Sequence, residues 1–262
     1  MLALHQGLPT AGSKPANITT IERAARAAAA AGAGMITFPE LFLTGYNIGR
    51  AALHDLAEAV DGPSVSAICE IARTNRIGIV FGMAERTGKQ VFNTAVAIDD
   101  SGKPAGSYRK IHLFGAEEQR TFDAGGDVRV VAMCGWRVGL AICYDIEFPE
   151  MARALVKTGA DLICVPTANM LPFTEVPTTL VRARALENGT SIIYANLSGS
   201  ERDLVYTGMS CIVGPEGHDL ARAGACGTAL LCCSMPRSDV GEAPPPSTQL
   251  ADLREDVLHA RS

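Results

Sequence analysis

A thiol, a carboxylate and a lysine each stand at the end of a short apolar run in this sequence: Cys143 after Val138–Ile142, Glu40 after Met35–Phe38 and Pro39, and Lys110 after Tyr108-Arg109. These residue types suit attack on a weakly electrophilic carbonyl or nitrile carbon. Such chemistry gains from a strong nucleophile, a group that shuttles its proton, and a cation beside the developing oxyanion. A cysteine between a strand end and a helix start meets unsatisfied N–H groups and a favourable helix dipole, both of which favour the thiolate. Taken singly, each residue has a plainer reading. Buried cysteine is a common core residue, and Glu40 and Lys110 alone are ordinary surface charges. His112 is a second candidate base for Cys143.

The elements that must position these residues are legible from pattern. Thr19 and Glu22 offer a capping box ahead of an Ala-rich helix that Gly32 and Gly34 end. A helix is expected over 64–74 behind Pro63, and strands over 35–38, 77–82 and 91–98. A hairpin over 128–142 turns at Gly135-Trp136. Pro149 opens a helix directly after the Cys143 stretch. Further on, strands are expected over 162–165, 192–196, 209–213 and 230–233, and a helix over 179–188. Helices alternating with strands predict a layered α/β fold with a mixed sheet or two packed sheets.

Composition narrows the class. The chain has 262 residues, enough for one large α/β domain. A formal net charge of -5 argues against a nucleic-acid-binding surface. No apolar run is long enough to span a bilayer, and the N-terminus lacks the basic and apolar regions of a secretory signal. Eight cysteines without a dense framework suit a reduced, cytoplasmic setting. No short-spaced Cys/His cluster suggests zinc, and "AGGD" near Gly125 lacks the lysine of a phosphate loop. A domain over 1–236 is expected to be followed by a tail over 237–262. There Pro244-Pro245-Pro246 forms a stiff linker, and Leu250, Leu253, Val257 and Leu258 sit at helical spacing, suited to docking on a partner subunit.

The contexts Phe38-Pro39-Glu40, Tyr108-Arg109-Lys110-Ile111-His112-Leu113-Phe114 and Ile142-Cys143-Tyr144-Asp145 together resemble the nitrilase superfamily of carbon–nitrogen hydrolases. "RALENGTSIIYANLSG" from Arg184, "YTGMSCIVGPEG" from Tyr206 and "LADLREDVL" from Leu250 are similar to later segments of that family. The resemblance therefore covers most of the chain. It implies a four-layer α-β-β-α sandwich and a homodimer or larger homo-oligomer. It also implies a Glu40–Lys110–Cys143 triad that needs no metal or organic cofactor. In that reading Cys143 attacks, Glu40 moves the protons, and Lys110 with the Tyr144 N–H steadies the oxyanion. Burial should raise the pKa of Glu40 and Lys110 should oppose the shift. At the family's position His112 is structural.

The family often has a second glutamate after its lysine. Glu117 and Glu118 compete for this role, and the spacing of Glu118 from Gly125 selects Glu118, with Ala124 where the family usually has proline. Relatives that take carboxylate-bearing substrates often carry an arginine shortly after the nucleophile. Here Ile146 and Glu147 stand there, which disfavours N-carbamoyl amino acids and dicarboxylic monoamides. Tyr144 occupies the place where nitrile-hydrolysing members usually have tryptophan. Asn169 and the loop to Phe173 are expected to line the acyl pocket. The expectation is an amidase acting on a small neutral amide, with nitrile hydrolysis or a catalytically silent scaffold as alternatives.

Overall fold

The structure is a computed structural model that describes residues 1–235 and 247–254. In chain order the elements are β1 (Leu2–Gln6), α1 (Lys14–Ala30), β2 (Met35–Thr37), α2 (Arg50–Leu56), α3 (Pro63–Asn75), β3 (Gly78–Thr87), β4 (Gln90–Ile98), β5 (Pro104–Arg109) and α4 (Gly115–Thr121). The second half follows with β6 (Arg129–Met133), β7 (Trp136–Leu140), a 3₁₀ turn (Cys143–Glu147), α5 (Pro149–Lys157), β8 (Leu162–Thr167), a π turn (Val176–Leu180), α6 (Val181–Asn188) and β9 (Ser191–Asn196). The hairpin β10 (Ser198–Glu201) and β11 (Leu204–Thr207) precedes β12 (Cys211–Val213), β13 (Asp219–Arg222), β14 (Ala229–Cys233) and the single turn α7 (Gln249–Asp252).

Two six-stranded sheets, ordered β14-β1-β2-β3-β4-β5 and β13-β12-β9-β8-β7-β6, form the centre of an α-β-β-α sandwich. Each has a parallel middle, β1-β2-β3 in one and β7-β8-β9 in the other, with antiparallel strands outside it. Parallel strands covered on both faces read as continuous apolar runs, and every residue of β8 and β9 is buried. The period of two sorts the first sheet's side chains. Leu2, Leu4, Met35 and Val80 join the core shared with Val138, Leu140 and Ile163 of the other sheet. Ala3, Ile36, Ile79 and Phe81 join Ile21, Ala25 and Ile68 of α1 and α3. Met151, Leu155, Val181 and Ala185 bring α5 and α6 onto the second sheet's core.

The first helix starts earlier than the Thr19/Glu22 pattern suggests. It begins at Lys14, with Pro15 in its first turn, and the Thr19 hydroxyl donates back to the Pro15 carbonyl from inside the helix. Proline's fixed φ and missing N–H fit a first turn, so this signal sets the start. The sequence pattern also passed over α2, α4, β13 and the β10–β11 hairpin, which are short. Of the tail, α7 lies against α6, while Val257 and Leu258 fall outside the described residues. Among the described residues no helix is long and apolar enough to cross a membrane.

Candidate active site

Glu40, Lys110 and Cys143 are brought to the same end of the sandwich by three different turns. Glu40 follows β2, in a turn that crosses β3 closely. A Cβ at Gly82 would stand 2.3 Å from the Leu41 nitrogen and 2.8 Å from the Glu40 Cα, so only glycine fits there. Lys110 follows β5 and keeps the pairing one step further, its N–H donating to the Asn93 carbonyl of β4 at 2.9 Å. Cys143 opens the 3₁₀ turn with φ +49°, a conformation sparsely populated for residues with a Cβ.

Asp145 fixes that turn. Its carboxylate is buried and accepts from the Ile142 N–H (3.0 Å), the Tyr108 hydroxyl (2.8 Å), the His112 N–H (3.0 Å) and the His112 ring at Nδ1 (2.8 Å). The Cys143 turn is thereby tied to the strand end that carries Lys110. His112 also stacks on Phe148 at 4.0 Å between centroids, so its place is structural. At the other end of the turn, the Arg184 guanidinium donates to the carbonyls of Ile146 (3.2 Å) and Glu147 (2.8 Å). Sequence reasoning gave no role to Asp145 or Arg184. An acidic residue two places after a cysteine in a strand-to-helix turn is the signal that could have marked the first.

The charged groups lie on one ammonium. Lys110 Nζ is fully buried and donates to Glu40 Oε1 at 2.7 Å and to Glu118 Oε1 at 2.8 Å. Asn93 Nδ2 donates to the same Glu40 oxygen at 2.6 Å. Glu118 is the buried member of its pair and also accepts from the Tyr46 hydroxyl (2.6 Å) and the Phe114 N–H (2.7 Å). Glu117 is exposed and pairs with Arg120. Glu40 Oε2 is buried and has no hydrogen-bond partner. The Thr167 hydroxyl reaches the Cys143 thiol.

Burial sets the proton affinities. Desolvation pushes Glu40 up from its ordinary 4.5 to about 7, against the pull of Lys110 and with a further push from the Glu118 charge. For Lys110 burial alone would depress the pKa. The Glu118 and Glu40 carboxylates overturn this and hold it well above its ordinary value, as a permanent cation. The Cys143 thiol departs from the sequence reading. Burial, and then the Glu40 charge, push it well above the ordinary thiol range, and Lys110 only partly offsets them. The resting group is therefore a neutral thiol, and the helix-start argument for a standing thiolate fails because desolvation is the larger effect.

The other predicted residues surround this core. The Tyr144 ring packs edge-on against Phe114 (5.2 Å) and Phe148 (5.0 Å), and Phe173 meets Phe114 at 5.8 Å. Glu147 is half-buried, and its carboxylate has no hydrogen-bond or ion-pair partner among the described residues. Burial raises its pKa, helped by the Glu175 charge and opposed by Lys110 and Arg184. Asn169 is nearly buried. Its Nδ2 donates to the Phe173 carbonyl (2.8 Å) and Thr207 Oγ1 (3.1 Å), so it holds the loop in shape.

The chain belongs to the carbon–nitrogen hydrolase family, whose model it matches over residues 1–245. Within it, the chain is an amidase-like member of the nitrilase superfamily. It is 41% identical to the "Hydrolase in pqqF 5'region" of Pseudomonas protegens over 98% of this chain and 90% of that protein. To the (R)-stereoselective amidase of a Pseudomonas species it is 37% identical, over 72% of this chain and 69% of that one. Its fold superposes with TM-score 0.83 and 33% identity on an amidase variant from Nesterenkonia sp. AN1, which carries acrylamide added at the active-site cysteine. The match covers 97% of this chain and 96% of that one.

Proposed function

We propose that this protein hydrolyses a small neutral amide to a carboxylic acid and ammonia, through a thioester on Cys143. The observation that carries the reading is the Glu40 carboxyl. One oxygen is held by Lys110 and Asn93, while the other is buried, unpartnered and in the same cluster as the thiol. An acceptor kept dry and free, on a group with a pKa of about 7, is suited to carry protons at neutral pH.

The neutral thiol sits above Glu40 in pKa, so its proton leaves as sulfur attacks rather than beforehand. Glu40 takes that proton, and the carbonyl π pair moves onto oxygen. Lys110 and the Tyr144 N–H stabilise the oxyanion. Glu40 then protonates the departing nitrogen, the C–N bond breaks, and ammonia leaves a thioester. Next Glu40 draws a proton from water, which adds to the thioester carbon. The C–S bond breaks and the proton returns to sulfur. Glu118 and Tyr46 hold Lys110 in place, and Glu147 disfavours anionic acyl groups.

The test is Cys143→Ala assayed for ammonia release on a panel of amides and the matching nitriles. Loss of release with an unchanged melting curve is expected, with amides consumed in preference to nitriles by the wild type. Glu40→Gln and Lys110→Ala should each cost on the order of 10²–10⁴-fold. Release from Cys143→Ala near the wild-type rate would sink the proposal.

We further propose that the catalytic domain ends near residue 236 and that the tail over 237–262, whose turn α7 lies against α6 of its own chain, docks with its remaining apolar positions on a second copy in a homodimer or larger assembly. The triple proline and the apolar spacing of the tail support this. Residence in the cytoplasm is supported by the sequence, whose eight cysteines are scattered without a dense framework.

A further inference from the structure

A cavity of ≈ 500 Å³ lies between the start of α2, α4 and the β10–β11 turn; it reaches the charged cluster at Glu118, while Glu40, Lys110 and Cys143 do not line it. Its floor is the Tyr46–Glu118 pair, and Glu118 in turn touches Lys110. Leu53, Phe114, Met170 and Leu204 give it apolar walls, while Arg50, Glu117, Arg202 and Asp203 also line it and make the rest polar. Phe114 is the link to the nucleophile, because its ring meets that of Tyr144, the residue after Cys143. The outer rim is fastened. Asn47 Nδ2 donates to Asp203 Oδ1 at 2.8 Å, and an Arg202 nitrogen donates to the Ile48 carbonyl at 2.6 Å. These contacts tie the segment before α2 to the hairpin, so the cavity is part of the framework.

A volume of this size falls in the range of about 300–1,000 Å³ that encloses drug-sized ligands, far more than an acetamide-sized substrate fills. We propose that the cavity receives the acyl group, and that the substrates are primary amides of medium-length aliphatic or arylalkyl acids. This rests on the amidase reading above: a reaction that releases ammonia leaves only the acyl side to be housed. The apolar walls take the hydrocarbon. Asn169 and Phe173, expected from the sequence to line the acyl pocket, do not line this cavity, and nor does Glu147, which keeps its separate effect on charge close to the reacting carbon. Each methylene that leaves water for such walls is worth about fourfold in kcat/KM, from the usual transfer free energy.

The experiment compares acetamide, butyramide, hexanamide and 3-phenylpropionamide, using wild type, Leu204→Trp and Ala116→Trp. Ala116 also lines the cavity and is exposed, so its replacement carries little folding risk. In the wild type, kcat/KM should rise from acetamide to hexanamide by on the order of a hundredfold. Each tryptophan should lower the hexanamide-to-acetamide ratio at least tenfold, while the rate of Cys143 alkylation by iodoacetamide confirms an intact thiol site. Ammonia release with no chain-length preference, or tryptophan variants with an unchanged ratio, overturns the pocket assignment and leaves the amidase reading standing. No ammonia from any amide overturns the amidase reading and the assignment with it.

Discussion

Replacing Glu118 with glutamine keeps its shape and an acceptor for Tyr46 and Lys110, but removes a charge. Glu40 Oε1 and Glu118 Oε1 lie 2.7 and 2.8 Å from the same Lys110 nitrogen. They are therefore at most about 5.5 Å apart, where two negative charges repel by roughly 3 kcal/mol at an effective dielectric of ~20. One pKa unit corresponds to about 1.36 kcal/mol, so the loss lowers Glu40 by about two units. Burial and the Lys110 contact remain, and Glu40 moves from about 7 towards the ordinary carboxylate range. Glu40 is a base only when deprotonated. The acid limb of kcat/KM, expected near pH 7 in the wild type, therefore shifts to lower pH in Glu118→Gln. The Phe114 N–H loses its acceptor in this variant, so the maximal rate also falls; the position of the limb is the readout. Ammonia release across the acid and neutral range measures it, and the pH dependence of Cys143 alkylation gives a second measure that needs no turnover. A limb that stays near pH 7, or moves upward, refutes the idea that the Glu118 charge helps set Glu40.

Asp145→Ala strips four hydrogen bonds from the Cys143 turn and should destabilise the protein by about 3 kcal/mol, read from denaturant unfolding, with activity lost even where the protein stays folded. Glu147→Gln should narrow the preference for a neutral amide over the monoamide of a dicarboxylic acid. A wild type that prefers the anionic substrate would show that the carboxylate does not face the acyl group. Light scattering at micromolar concentration should give a dimer or larger mass, and cutting the chain after Pro246 should weaken that assembly. A monomeric mass before and after the cut would remove the role given to the tail.

Much of this arrangement was legible because it depends on local patterns. Strands such as β8 and β9, buried on both faces, announce themselves as unbroken apolar runs. The order of Glu40, Lys110 and Cys143 survives in one dimension because each ends its own strand. The proton state of Cys143 was not legible. Whether a thiol at a turn is activated depends on how much water the fold removes, and that comes from both sheets at once. Asn93, Tyr46 and Thr167 were invisible for a related reason. They are ordinary strand or loop residues whose meaning arises only when Asn93 Nδ2 meets Glu40, the Tyr46 hydroxyl meets Glu118 and Thr167 reaches the thiol. The resemblance's spacing to Gly125 singled out Glu118 over Glu117, and the structure gives that choice a physical reason. On α4 consecutive residues point in different directions, so one carboxylate turns to Lys110 and its neighbour to solvent.

The same burial that, in the proposed mechanism, suits Glu40 for proton transfer works against the fold. A carboxyl whose pKa is raised from 4.5 to about 7 contributes stability that is full below about pH 4.5 and is lost as pH rises through about 7. At neutral pH and above, the ionised Glu40 thus withholds up to roughly 3 kcal/mol from the folded state. Lys110 limits that penalty, because its ammonium contacts both carboxylates and remains charged, but it does not cancel it. The Asn93 amide on Oε1 holds the carboxyl in place and leaves Oε2 unpaired. A second donor on Oε2 would make the fold more stable and Glu40 a weaker base. In the proposed mechanism the buried, unsatisfied oxygen has a physical explanation: it is the position at which Glu40 would take up and return a proton.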